Sequence, residues 1–121
     1  MIKLTFALVR LPHLTREAFQ DYWLNTHGPL VASVREPLRI RRYVQLHSLP
    51  PETSAQLQAV RGGPEGFDGV AQLWWDSFED MTSADSEAAR AAGALLLEDE
   101  KRFIDLARSP LWWGEERVIF Q

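Results

Sequence analysis

The chain has 121 residues, a formal charge of −4, no cysteine and five tryptophans, and 45 % of its residues are hydrophobic. That length and apolar content fit one domain with a real core, spanning 1–121. Without cysteine there are no disulfides, thiolate metal sites or cysteine nucleophiles, and an acidic chain with no basic stripe is not built for nucleic acid.

Residues 2–9 alternate, with Ile2, Leu4, Phe6 and Leu8 on one face, and predict a strand. This apolar run is too short for a signal peptide or a membrane span, so the expectation is a cytoplasmic protein without a membrane partner. Thr15 is placed to cap a helix, with Glu17 in its positive first turn. That helix is expected to run to about residue 27. Phe19, Trp23 and His27 then form one stripe at four-residue spacing, facing inward. Gly28-Pro29 follows at once, and Pro29 can open a further short helical stretch. Spacing alone leaves two readings of His27. It is either a satisfied core histidine bonded to the last helical carbonyls or a proton-handling group, since imidazole titrates nearest neutrality.

Residues 39–47 predict a second strand, with Ile40, Val44 and Leu46 inward and Arg39, Arg41, Tyr43, Gln45 and His47 on the other side. Arg42 interrupts the inward face. The arginine cluster at 35, 39, 41 and 42, broken by Glu36, reads as a solvated loop and strand start. The proline- and glycine-rich segment 48–66 is a long connection with a helical turn or two, expected to be a lid or a dimer arm. Its Gly62-Gly63-Pro64-Glu65-Gly66 run precedes a strand rather than a helix, which argues against a phosphate loop.

Residues 68–75 predict a third strand in which Ala71, Leu73 and Trp75 oppose Val70, Gln72 and Trp74. Ser77 marks a capped helix start, and 78–104 reads as helical with breaks near Ser83 and Gly93. Within it, Glu98-Asp99-Glu100 reads as a solvated face. The alternating segment 115–120 is expected to be the last strand, with Val118 and Phe120 inward.

The order β-α-β-β-α-β predicts an α+β, ferredoxin-like fold, an antiparallel four-stranded sheet with helices on one side. The uncovered face, carrying Tyr43, Gln45, His47, Gln72 and Trp74, is too apolar for plain solvent. A homodimer would cover it with a second copy and enclose a small-molecule cavity between the two sheets. Trp112 and Trp113 are candidates for the same interface or for ordinary core packing.

Four ordered blocks carry a resemblance: Tyr22-Trp23 with His27-Gly28-Pro29-Leu30, Arg42-Tyr43-Val44-Gln45, Phe67 to Ser77, and Glu98-Asp99-Glu100 with Phe103 to Pro110. They resemble the EthD family of the dimeric α+β barrel superfamily, named after a gene needed to degrade ethyl tert-butyl ether. Relatives there include a methylmuconolactone methylisomerase and polyketide-tailoring dehydratases and decarboxylases, none of which needs a metal or an organic cofactor. The resemblance implies a cofactor-free isomerase- or lyase-type enzyme for a small cyclic or aromatic carbonyl compound, in catabolism or polyketide-type metabolism. It implies pocket positions for His27 and Tyr43. The expected assignment is His27 as acid–base, Tyr43 as donor to an enolate oxygen, and Gln45, His47, Gln72 and Trp74 as substrate contacts. Gln72 stands where the family often has Glu, and a neutral amide cannot be a general base. The alternative is a non-catalytic small-molecule-binding accessory protein of a degradation pathway. Histidines at 13, 27 and 47 have no clustered ligand spacing, so a metal site is not expected. Haem ligation, known in other branches of the superfamily, is a minor alternative.

Overall fold

A computed structural model describes all residues, 1–121. Four strands form one antiparallel sheet in the order β2-β3-β1-β4: β1 is Ile2–Leu8, β2 Arg42–His47, β3 Gly69–Trp75 and β4 Leu111–Gly114. The helices are α1 Arg16–Tyr22, α2 Gly28–Ser33, α3 Arg35–Leu38, α4 Pro51–Val60, α5 Phe78–Thr82 and α6 Glu87–Glu100. A π-helical turn, Trp23–His27, joins α1 to α2. This is the ferredoxin-like α+β fold that the element order predicts.

Local chemistry sets most boundaries. Thr15 caps α1 by accepting from the Ala18 N–H at 3.0 Å, and Ser77 caps α5 by accepting from Asp80 N–H at 2.9 Å. Ser83 ends α5 as expected, but Gly93 lies inside α6 without breaking it. Pro29 has no N–H for the carbonyl four residues back, and its ring crowds that carbonyl. The helix answers by widening to a π turn just before the proline, where Gly28 N–H bonds the Trp23 carbonyl five residues back.

The second strand differs from its expected phase. β2 starts at Arg42, because Ile40 is tucked into the core from the connection before it. Tyr43 pairs with Leu73 and Gln45 with Ala71, so Tyr43, Gln45 and His47 face the helices, while Arg42, Val44 and Leu46 point outward. The reason is Arg42. The expected phase would bury its guanidinium under the helices without a partner, which is costly. Outward, its charge lies 4.5 Å above the Trp74 ring.

The last strand also differs. It is Leu111–Gly114, paired with β1, and 115–120 forms no strand. Val118 and Phe120 are 69 % and 90 % exposed rather than core. Trp112 is in β4 on the outer face beside Thr5. Trp113 packs edge-on against Trp75 and Phe78, at 5.5 Å from each.

The core has two clusters. Leu8, Phe19, Trp23, Ala71, Phe103 and Ile104 form one; Val31, Ile40 and Trp75 form the other. Gly69 is required by the first, because a Cβ there would overlap the Trp23 ring and lie 2.9 Å from the Leu46 carbonyl oxygen. Gly69→Ala is expected to destabilise the fold by about 1–3 kcal/mol, as overpacking does. Urea unfolding measures it, and an unchanged midpoint would show that Trp23 can shift freely.

Candidate active site

Between the two core clusters lies a cavity of about 240 Å³, walled by the helix-facing side of the sheet and by the helices. It lies within one chain, on the helix-facing side of the sheet rather than on its uncovered side. Fourteen of its seventeen lining residues are hydrophobic, and His27, Tyr43 and Glu100 supply its titratable groups.

His27 is 5 % exposed and enters from the π turn. Its Nδ1 lies 2.7 Å from Oδ2 of Asp99, itself 8 % exposed, whose other oxygen accepts from the Tyr22 hydroxyl at 2.5 Å. A carboxylate only accepts, so Nδ1 carries the imidazole proton and Nε2 keeps a lone pair. Nε2 has no protein partner, and the side chain it belongs to lines the cavity. Burial holds His27 below the usual imidazole range, with the Asp99 bond and charge working against it. Burial pushes the Asp99 carboxyl up, but hydrogen bonds from Tyr22 and His27 outweigh it and keep it low. The pair is therefore neutral imidazole against carboxylate at neutral pH, the arrangement of an oriented general base.

Tyr43 lines the same cavity from β2. Gln45 Nε2 donates to its hydroxyl oxygen at 2.8 Å and to the Trp23 carbonyl at 2.8 Å. His47 Nε2 lies 2.7 Å from Gln45 Oε1, and its ring stacks on Trp23 with centroids 4.5 Å apart. Because Gln45 fills an acceptor position on the phenol, the phenolic proton is free for another partner. Burial raises the Tyr43 phenol, so it stays protonated as a donor.

The structure thus brings His27 and Tyr43 together on the cavity. Gln45 and His47 stand behind Tyr43 and do not line the cavity. Gln72 and Trp74 lie on the opposite face of the sheet, where Trp74 is buried under Lys3 and Arg42 and donates to Glu116 at 2.5 Å. None of residues 48–66 lines the cavity, so that segment is no lid over it. Its helix α4 has no buried residue.

Sequence reasoning passed over Asp99 and Glu100 by taking 98–100 as one solvated face. Only Glu98 is so placed, paired with Lys101 at 2.9 Å. The signal lay in spacing. Ala89, Ala92, Leu96, Asp99 and Phe103 form one inward stripe at intervals of three and four, and Gly93, Leu96, Glu100 and Ile104 form the cavity-lining stripe beside it. No three His, Asp or Glu side chains gather in a group able to hold a metal ion.

The profile of the EthD domain matches residues 11–107. The chain belongs to the EthD family. Solved structures agree in fold: an EthD family protein from Bacillus halodurans is 22 % identical, with 97 % of this chain and 100 % of that one covered at a TM-score of 0.61. An EthD-like protein from Ralstonia eutropha is 21 % identical over 98 % and 94 % of the two chains, TM-score 0.63. A dimeric ferredoxin-like protein of unknown function from Bacteroides fragilis is 12 % identical over 95 % of each, TM-score 0.58. No protein of curated function matches the sequence. No helix of this EthD protein is long and apolar enough to cross a membrane.

Glu100 gives the site a testable pH signature. Burial first, and the Asp99 charge second, raise its carboxyl from 4.5 to about 7. The folded state therefore binds more protons than the unfolded chain across that range, and this contribution to stability is lost as pH rises through the folded value. Glu100→Gln removes the ionised form. It should be more stable than the parent near pH 8 by on the order of 1–3 kcal/mol, with the difference gone near pH 4. Urea unfolding at the two pH values checks this.

Proposed function

We propose that this EthD protein is an enzyme that moves a proton on a small cyclic or aromatic carbonyl compound bound in the cavity beside His27. The observation that carries the reading is the 2.7 Å contact between His27 Nδ1 and the buried Asp99 carboxylate. A buried charge is costly, and here it orients one imidazole so that the opposite nitrogen belongs to a cavity. His27 Nε2 takes the proton from the carbon next to the carbonyl. Asp99 stabilises the imidazolium that forms, and Tyr22 holds Asp99 in place. The Tyr43 hydroxyl, set by Gln45, donates to the oxygen on which charge develops. The protonated His27 then returns the proton to another position, or to a leaving group. Isomerisation and dehydration are each within reach of these residues, without a bound cofactor. Gln45 and His47 act in this scheme as positioning residues for Tyr43. The competing reading is non-catalytic binding, favoured by a lining that is apolar at fourteen of seventeen positions.

The two separate by deuterium incorporation. A panel of cyclic and aromatic ketones is incubated with the protein in D2O and followed by NMR at the carbon next to the carbonyl. Exchange is expected with the parent and a loss of about 10²–10⁴-fold in His27→Ala, the range of general acid–base catalysis. Undiminished exchange in that variant rules out the role of His27. Saturable binding without exchange by the parent supports the binding reading.

The outer sheet face supports a homodimer. Leu46 and Trp112 are exposed on it, and the apolar residues 118–120 are exposed as well. Such a face is the self-complementary patch of a two-fold pair. We expect sedimentation at twice 13.9 kDa, with Trp112→Glu shifted toward monomer. A monomeric parent would end this reading.

A further inference from the structure

The cavity also has a charge logic. No lysine or arginine lines it. The basic cluster that precedes and opens β2 lies close in sequence but is held elsewhere. Arg39 bonds Asp80 and Ser83, Arg41 lies 3.5 Å from Asp76, and Arg42 covers Trp74 on the far face. The side chains inside are aliphatic and aromatic, with His27, Tyr43 and Glu100 among them. Glu100 has no ion-pair or side-chain hydrogen-bond partner in the protein, and it is the last residue of α6. Its carboxylate thus adds to the partial negative charge of a helix C-terminus. With His27 neutral beside the Asp99 carboxylate, the groups facing the interior present a neutral or a negative field to an arriving ligand.

We infer that the cavity selects uncharged ligands, and that Glu100 together with the exclusion of lysine and arginine from the lining is the device that rejects carboxylates. A bound carboxylate would be a buried charge with no cationic side chain to pair with, and, once Glu100 is ionised, one placed beside a second negative group. An uncharged carbonyl compound meets no such cost and finds the Tyr43 donor. At interior packing density the volume holds on the order of ten non-hydrogen atoms, one aromatic ring with a short substituent. This inference deepens the proposed function and rests on the cavity being the binding site.

Entry is at Gly93. This residue lines the cavity yet is exposed, and nothing lies within 4 Å of where a Cβ would sit. A large side chain there changes the wall without displacing packed atoms, which supplies a control.

The test uses the isosteric pair acetophenone and benzoate, read by quenching of the cavity tryptophans Trp23 and Trp75. In the parent, acetophenone is expected to bind saturably and benzoate at least about tenfold more weakly, and Glu100→Gln should reduce that gap to within about threefold. Gly93→Trp should weaken acetophenone binding, locating the signal in the cavity. Equal or tighter benzoate binding in the parent, with the Gly93→Trp effect present, overturns the charge selection and leaves the site standing. A gap unchanged in Glu100→Gln overturns the part given to Glu100. If neither probe binds, the cavity is not the ligand site and the proposed function falls with it.

Discussion

The carbonyl of Trp23 accepts two hydrogen bonds from different parts of the fold, one from Gly28 N–H and one from Gln45 Nε2. The first exists because the helix widens before Pro29 and bonds five residues back rather than four. The second ties that widened turn to β2. Gly28 leaves room for that bond, since a Cβ there would touch the Gln45 amide at 3.4 Å. One acceptor thus fixes the helix turn that carries His27 and the side chain that orients Tyr43. An ordinary α-helical turn would take a different set of carbonyls and rotate His27 relative to the sheet.

The second constraint is the buried carboxylate of Asp99. Taking a charge out of water costs several kcal/mol unless hydrogen bonds replace the lost hydration. Tyr22 and His27 supply them from two successive stretches of one helix path, α1 and the π turn. The same contacts join α6 to the helix before β2, so the charge that orients the imidazole also locks the two helical layers. Phe103 closes the arrangement, with its ring 5.0 Å from His27 and 5.1 Å from Tyr22. Removing Asp99 therefore disturbs packing as well as protonation, which makes His27 the cleaner residue for testing chemistry.

The divided core explains the cavity. Tyr43 and Leu73 border both apolar clusters without filling the space between them. Larger side chains would seal it, but Ala71 and Gly93 on its wall are small. Close-packed interiors leave few such voids, and this one coincides with the titratable groups.

The β1 alternation, the Thr15 and Ser77 caps and the inward stripe through His27 were legible because each rests on neighbours along the chain. The fold class followed from their order. The phase of β2 was not legible. Its apolar alternation pointed one way, and only the presence of Trp74 across the ladder, ready to hold the Arg42 charge, turned it the other. Segment 115–120 alternated well and still formed no strand, because β1 had already taken Leu111–Gly114 as its partner. Asp99 looked solvated for the same reason: whether its carboxylate can be buried depends on donors 72 and 77 residues away in sequence. Local patterning thus set the elements and the inward histidine. Pairing across the fold decided which face each strand shows, where the cavity lies and which acids enter it, since those choices depend on partners that no stretch of sequence contains by itself.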